Sequence, residues 1–410
     1  MKTIQLNTLT LTNFKCHEHL RLEPKGASLS VFGDNGTGKT SVYDAFVWLL
    51  YGKDSLGTGE KNFDVKPLDG WGFVKDRLAV TAVEAELTVD GVPLTLRRTF
   101  QEKWRKHRGK AEAVSEGNRS EYYVNSQPVK KLAFDAAVKE LIDEDLFRLL
   151  TSVTYFAGTL KWQDRRALLF DLAGAMTDGE IMAQSSEFDA LAAEVGKKDL
   201  GSYREKLLKK KRELAGKRDD IPARLSECHQ FALLLEEEAG DAEEGLDALR
   251  MLENQLMALG EQRCREALSG KLKQRMETLA AEAAAVEATI ARIEKSLFAI
   301  EEFTRFKARF LEESINSHFR LASFRLFREQ NNGGLEERCD ACFGGIPWSG
   351  LNNAMRVNLG IDIINTLSRH FGVSVPLFLD NAEAVTRLEE CGAQVIRLAV
   401  SPGDALLRTE

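Results

Sequence analysis

The sequence predicts an α/β fold whose head is assembled from both ends of the chain around an inserted helical hairpin. Three observations predict it. A glycine-rich stretch, Gly33–Thr40, sits between the apolar run Leu29-Ser30-Val31-Phe32 and a helical run, Ser41–Leu50. Apolar residues recur at heptad spacing from Leu207 to Ile300. A second apolar run, Val375–Leu379, ends in Asp380, roughly 340 residues after Lys39.

The bulk numbers set limits. At 410 residues the chain is long enough for more than one core. Its charged share, 29%, suits long solvated helices, and its net charge of −7 rules out a uniformly basic nucleic-acid binder. Any DNA contact must come from local patches. Six scattered cysteines suggest no disulfide framework and a reducing compartment. Met1–Leu6 lacks the apolar core of a signal peptide, and no run of about 18 apolar residues occurs. The expectation is a cytoplasmic protein.

The loop carries the chemistry. Gly33, four residues, then Gly38-Lys39-Thr40 match the phosphate-loop pattern. Glycines let successive backbone N–H groups point inward at phosphate oxygens, and the following helix adds the positive end of its dipole. The pattern assigns Asn35, Gly36, Gly38, Lys39, Thr40 and Ser41 to ATP, with Lys39 on the β- and γ-phosphates and Thr40 on Mg²⁺.

Taken in order, Ile4–Asn13 alternates as a half-buried strand, His19–Leu22 follows, and a third strand delivers the loop. A helix is expected at about 39–51, then a glycine-rich loop over 53–72. Val80–Val89 and Val92–Phe100 read as a hairpin about Asp90-Gly91. Glu121–Val124 is a short strand. Helices are expected near 130–142, 144–151 and 161–173. Leu207, Leu214, Ile221, Cys228 and Leu235 then mark an outgoing helix with a kink at Pro222. An acidic turn, 236–241, leads to a returning helix that falters near Gly260–Gly270 or continues into the next globular part. Beyond 310, Ala322–Glu329 and Leu335–Phe343 form strands about a turn at Asn332-Gly333-Gly334. A helix spans about 351–370, and strands Val375–Asp380 and Gln394–Val400 follow. The domain reading is 1–198 for the first half of the head, 199–312 for the hairpin and 313–410 for the second half.

A phosphate loop holds Mg²⁺ incompletely. The partner it needs is an aspartate at the end of a buried strand beside the loop strand, and Asp380 fits. The order Asn13-Phe14-Lys15, Gly33–Thr40, heptads, Trp348-Ser349-Gly350, then Leu377-Phe378-Leu379-Asp380 resembles the SMC/SbcC/RecF class of ABC-type ATPases. It is most similar to the short SbcC-like proteins of phages and prophages. The resemblance covers essentially the whole chain. It implies an α/β ABC-type P-loop ATPase head with an inserted antiparallel coiled coil, and a homodimer whose two heads sandwich two ATP molecules. Ser349 and Gly350 match the signature that meets the other head's nucleotide, where a helix-capping serine offers its hydroxyl to the γ-phosphate.

The chain departs from that pattern in places. The glutamate that acts as general base in such relatives is replaced by Asn381, which cannot accept a proton. Glu383 stands two residues on as a substitute; the alternative is slow hydrolysis, with ATP as a dimerisation switch. Ser401 stands where a histidine is expected. Gln163 lies in the region of the usual glutamine loop. Cys339 and Cys342 have metal-ligand spacing but no second pair. Two basic clusters, over 97–110 and 206–218, are candidates for sequence-independent DNA contact. The expected function is an ATPase acting on DNA in recombination, repair or end processing, with a nuclease as a further partner. The rival is an ATP-switched scaffold, for instance in phage defence, that recruits an effector without handling DNA. A small-molecule P-loop kinase would leave the heptads unexplained.

Overall fold

The first strand is longer than its sequence pattern. β1 runs Lys2–Phe14, with Ile4, Leu6, Leu9, Leu11 and Phe14 buried. The inward parity shifts between Leu6 and Leu9, and a bulge between Leu6 and Thr8 absorbs the extra residue. The computed structural model describes residues 1–59, 64–67, 74–76, 79–106, 113–174, 176–237, 248–330 and 335–410. These form two compact units, 1–175 with 311–410, and 176–310.

In the first unit β1 is followed by β2 (His17–Leu22), β3 (Leu29–Gly33), α1 (Lys39–Tyr51), β4 (Thr81–Val89), β5 (Val92–Lys106), β6 (Ala113–Val124), β7 (Gln127–Val129), α2 (Lys131–Leu141), α3 (Glu144–Thr151) and α4 (Trp162–Ala173). The second unit holds α5 (Asp178–Met182), α6 (Asp189–Val195), α7 (Leu200–Glu237) and most of α8 (Ala248–Asn316). The chain then returns to the first unit with β8 (Ala322–Glu329), β9 (Leu335–Phe343), β10 (Ile346–Pro347), α9 (Asn353–Phe371), β11 (Val373–Ser374), β12 (Leu377–Leu379), β13 (Val395–Val400) and β14 (Arg408–Thr409).

One sheet runs β11-β1-β4-β5-β6-β7, with β2 also on β1. The β4–β5 hairpin turns at Asp90 and Gly91, both at positive φ, as a tight two-residue turn demands. A second sheet runs β12-β13-β3-β14, its first three strands parallel. Here the expected neighbour relation is corrected. β13, not the strand of Asp380, lies directly beside the loop strand. Two parallel spacings of ~4.8 Å still bring the C-terminal ends of β12 and β3 to one edge. α1 is buried along most of its length, from Val42 to Leu50. Its Tyr43 stacks on Phe378 of β12 at 5.0 Å, and Phe46 meets the same ring at 5.2 Å. These contacts join the first 51 residues to the last 34.

The junction after α8 is densely hydrogen-bonded. Asp362 of α9 is buried and accepts N–H bonds from Arg320 at 3.0 Å, Leu321 at 2.7 Å and Ala322 at 2.8 Å. Asn316 exchanges two bonds with the backbone of Phe324, and Glu312 accepts from Leu326 N–H at 2.6 Å.

The second unit begins earlier than the expected boundary at 198/199. Residues 176–198 pack on α8: Phe188 meets Phe303 at 5.3 Å and Phe306 at 5.1 Å, Lys307 pairs with Asp178, and Ser296 donates to Glu194. α7 continues through Pro222 as one helix. α8 is unbroken across Gly260 and Gly270 and runs on to Asn316, so of the two readings, a break there or continuation into the next globular part, the second holds. Each glycine costs a helix only about 1 kcal/mol, and the residues around them are strong helix formers. Along α7 the less exposed positions include Leu207, Leu214, Ile221, Cys228 and Leu235; along α8 they run from Arg265 through Leu279 and Ile290 to Ile300. Lys211 pairs with Glu294 at 2.8 Å. Of the expected features, residues 238–241 of the acidic turn, the turn at 332–334, much of the 53–72 loop, and Arg108 with Lys110 lie outside the described residues.

Gly360 supplies a test of packing. A Cβ there would run into the backbone carbonyl of Val153, so α9 lies against bare main chain. In a free helix Gly→Ala stabilises by about 1 kcal/mol. Here Gly360→Ala is expected to reverse that sign and destabilise by about 1–3 kcal/mol, as overpacking does. Thermal and denaturant unfolding measure it.

Candidate nucleotide site

The loop between β3 and α1 is shaped by two left-handed glycines, Gly36 at φ 82° and Gly38 at φ 87°. No atom lies near the missing Cβ of Gly36, so its backbone is open to a ligand. A Cβ on Gly38 would collide with Cys16 Sγ and His17 Nε2. Lys39 is buried and its Nζ donates to the carbonyls of Gly33 at 2.9 Å and Asp34 at 2.8 Å. The ammonium is thus held inside the curl of the loop, where phosphate oxygens would compete for it. Asp34 steadies the loop from outside. Its carboxylate accepts from Asn35 N–H at 2.7 Å and Gly403 N–H at 3.3 Å, and these bonds hold its pKa below the ordinary carboxylate value.

The distant carboxylate arrives as the strand order requires. Thr40 Oγ1 donates to Asp380 Oδ2 at 2.7 Å. The other oxygen, Oδ1, accepts from Asn381 N–H at 3.0 Å. Asn381 itself adopts a left-handed φ of 53°, which asparagine tolerates better than most residues. Glu383 is engaged elsewhere: its Oε2 accepts from Val400 N–H at 3.0 Å.

A third segment closes the site. The turn after β1 carries Lys15, Cys16 and His17 onto the loop. Lys15 Nζ pairs with the buried Asp44 of α1 at 2.6 Å. His17 Nε2 lies 3.0 Å from the carbonyl of Gly38, and Cys16 Sγ lies 4.0 Å from Ser41 Oγ. Burial, the largest single influence, disfavours charge on both Cys16 and His17. Their mutual hydrogen bond and attraction, with help from Ser41, outweigh it, so the thiol is lowered and the imidazole raised. Lys15 and Cys16 join Asn35, Lys39, Thr40 and Asp380 around a cavity of about 360 Å³. Two larger cavities, of about 590 and 570 Å³, contain neither the loop nor Asp380. The smaller one is where the chemistry converges.

With this geometry in place, the comparisons with known proteins are decisive. The profile of the AAA_23 family, an AAA domain, matches residues 8–318. The chain belongs to that family. It is an ABC-type ATPase of the SMC/SbcC/RecF class, with an α/β fold. It is 43% identical over 58 residues to the DNA replication and repair protein RecF of Caulobacter sp. (strain K31), covering 14% of this chain and 15% of RecF. It is 35% identical over 57 residues to the DNA double-strand break repair Rad50 ATPase of Saccharolobus solfataricus, covering 14% of this chain and 7% of that protein. The matches thus span a small part of either relative. Among solved structures, the Smc head domain with an extended coiled coil from Pyrococcus furiosus is similar at a TM-score of 0.41 and 15% identity, over 99% of this chain and 96% of that one.

The ATPase places its remaining sequence-predicted residues less simply. Ser349 and Gly350 are exposed in a 3₁₀ turn, Trp348–Gly350, and do not line the Lys39 cavity. Ser349 is not the helix cap expected of it. Asn352 caps α9, accepting from Met355 N–H at 2.9 Å. Arg356 holds the turn, donating to the carbonyls of Trp348 and Ser349 at 3.3 Å each while its guanidinium lies over the Trp348 ring. Gln163 lies in the first turn of α4 and is exposed. Cys339 and Cys342 are buried in β9, and burial pushes the Cys339 thiol up to about 12. Among the described residues no three His, Cys, Asp or Glu side chains are grouped to hold a metal. The Thr40–Asp380 pair fits Mg²⁺ in another way. Both offer hard oxygen donors, and this ion ordinarily completes its shell with waters and phosphate oxygens. No described helix is long and apolar enough to cross a membrane.

Sequence reasoning missed Cys16 and His17. The available signal was Gly38 itself, whose crowding says that something must press on the loop. The lowered Cys16 pKa predicts more thiolate near neutral pH than an ordinary cysteine carries. Iodoacetamide labelling at pH 7.5, followed by peptide mass spectrometry, is expected to modify Cys16 several-fold faster than Cys264, with ATP slowing Cys16 alone.

Proposed function

We propose that this chain binds ATP with Mg²⁺, hydrolyses it slowly, and uses it to join two heads that act on DNA in recombination, repair or end processing. One observation carries the reading. The hydroxyl of Thr40 and the carboxylate of Asp380 meet at 2.7 Å beside the Lys39 loop, although 340 positions separate them. In this reading Lys39 leaves the loop carbonyls for the β- and γ-phosphates, and Thr40 and Asp380 hold the metal. The metal supplies charge neutralisation on the phosphates. Asn35, Gly36, Gly38 and Ser41 surround the phosphates with N–H groups and a hydroxyl. Ser349 and Gly350, exposed and outside their own chain's cavity, serve the nucleotide of the second head. Lys39→Ala is expected to abolish ATP-dependent dimerisation in sedimentation or light scattering. Equal dimerisation by the variant would refute the sandwich.

Slow hydrolysis follows from what surrounds the attacking water. Asn381 takes no proton, and Glu383 is drawn to the Val400 N–H. A general base contributes about 10²–10⁴-fold. Asn381→Glu is therefore expected to raise single-turnover ATP hydrolysis at least tenfold, at a stability cost of about 1 kcal/mol for a glutamate in left-handed backbone. An unchanged rate would assign the base to another group.

α7 and α8 are read as an antiparallel coiled-coil hairpin, supported by Lys211–Glu294 and by the covered faces of both helices. DNA is assigned to basic residues on α7, where Lys206, Lys209, Lys210, Arg212 and Lys217 are exposed, and to the β5–β6 ribbon, with Arg97 and Lys103. Duplex binding is expected to weaken steeply with salt. Lys209→Glu/Lys210→Glu is expected to flatten that salt dependence. The second reading, an ATP-switched scaffold recruiting a nuclease or other effector, is favoured by Asn381. It predicts no duplex binding even at low salt.

A further inference from the structure

The return of the chain into the first unit leaves a second polar hollow. A cavity of about 570 Å³ lies among the residues just after α8, the last turns of α9, β11 and the segment before β13. It shares no residue with the cavity at Lys39. Its size is that of a small-molecule site. Asp362, Asn365, Ser368 and Arg369 line it from α9, at the spacings of three and four that share one helix face. Other buried positions of that helix, such as Ile361, Ile363, Ile364 and Leu367, are apolar. Core packing gives no reason for a polar stripe there. Two hydroxyls sharpen the point. Ser368 is 8% exposed and Ser374, on β11, is 4% exposed, and both line the cavity. Among the described residues neither hydroxyl has a hydrogen-bond partner. A buried neighbour does: Thr366 Oγ1 donates to the His318 carbonyl at 3.2 Å. Buried polar groups are rarely left without a partner.

We propose that this cavity binds a neutral polyol through adjacent hydroxyls on a sugar ring, those of a free saccharide or of a nucleoside's ribose. The charges around Ser368 and Ser374 disfavour an ionic ligand of either sign. Arg320 pairs with Glu389, and the buried Asp362 is held by three backbone N–H groups. Arg369 spends two of its donors on the Asn365 carbonyl at 3.2 Å and Thr366 Oγ1 at 3.1 Å, and Glu390 is exposed. Guanidinium groups and carboxylates thus line one cavity. An anion meets the carboxylates, and a cation meets the guanidinium groups. A hydroxyl both donates and accepts, as the two serines and the His318 ring do. It also costs far less to take out of water than an ion does. Phe319, itself buried, gives the cavity an apolar wall on which the C–H face of a sugar ring can lie.

The test is saturation-transfer NMR and calorimetric titration of the full chain with D-glucose, maltose, D-ribose, uridine and 2′-deoxyuridine. At least one of the first four is expected to bind with a dissociation constant at or below about 1 mM. Glucose or maltose binding without uridine assigns a saccharide. Ribose and uridine binding without 2′-deoxyuridine assigns a nucleoside's ribose. Ser368→Ala/Ser374→Ala is expected to weaken the binding about tenfold, and each single variant about threefold. The unfolding temperature without sugar is expected to hold in all three variants, because no bond within the protein is lost. ATP binding is expected to be unchanged, because neither serine lines the Lys39 cavity. Four results overturn the proposal: no binding by any of the five compounds at about 20 mM, 2′-deoxyuridine as tight as uridine, a double variant that binds as wild type does, or phosphate or glutamate competing as tightly as the sugars.

Discussion

Everything at the nucleotide site depends on two aromatic residues of α1 gripping one ring of β12. Tyr43 and Phe46 both contact Phe378, and that side chain is two positions from Asp380. Phe46 and Phe378 are buried and Tyr43 is partly buried, and aromatic pairs of this kind add about 0.5–1.5 kcal/mol beyond their area. Thr40, one turn ahead of Tyr43, is thereby set opposite the carboxylate. The catalytic chemistry of this class is mostly positioning. In this chain a hydrophobic contact does the positioning, and the polar pair is its result.

The same economy explains the loop. Gly38 has no side chain because Cys16 and His17 occupy the space. Among the described residues Lys39 forms no ion pair within bonding distance; carbonyls of its own loop hold it, with the Asp34 carboxylate only a weaker attraction farther off. Charge in the site is thus supplied by a cation resting on weak neutral acceptors, which a polyanion can displace without first breaking a salt bridge. Glu383, by contrast, is satisfied by a main-chain donor and would lose that bond on leaving it.

Much of this was legible in the chain itself. A glycine-rich loop has a mechanism written into its spacing, and the apolar run before Asp380 reads as a buried strand because nothing in it can face water. What was not legible depends on insertion and parity. β13 slips between β12 and β3, and no local pattern announces strand order. The cap of α9 went to Asn352 rather than Ser349 because the 3₁₀ turn at Trp348 holds the serine outside the helix. Gly260 and Gly270 left a break and a continuous helix both open in the sequence, and neighbouring helix formers carry the helix through. The 176–198 segment was assigned to the wrong unit because the Phe188–Phe303 contact bridges more than a hundred residues.

The buried carboxylate of Asp362 has a dynamic consequence. It holds three consecutive backbone N–H groups where the chain leaves α8, and water cannot replace it there. Fraying, the ordinary fate of a helix end, is suppressed at this one. Farther along the same helix, every position from Leu252 to Cys264 is exposed. One 69-residue helix therefore carries a gradient of hydrogen-exchange protection: amides near Asn316 open only when the surrounding fold opens, and those after Leu252 exchange through local unzipping.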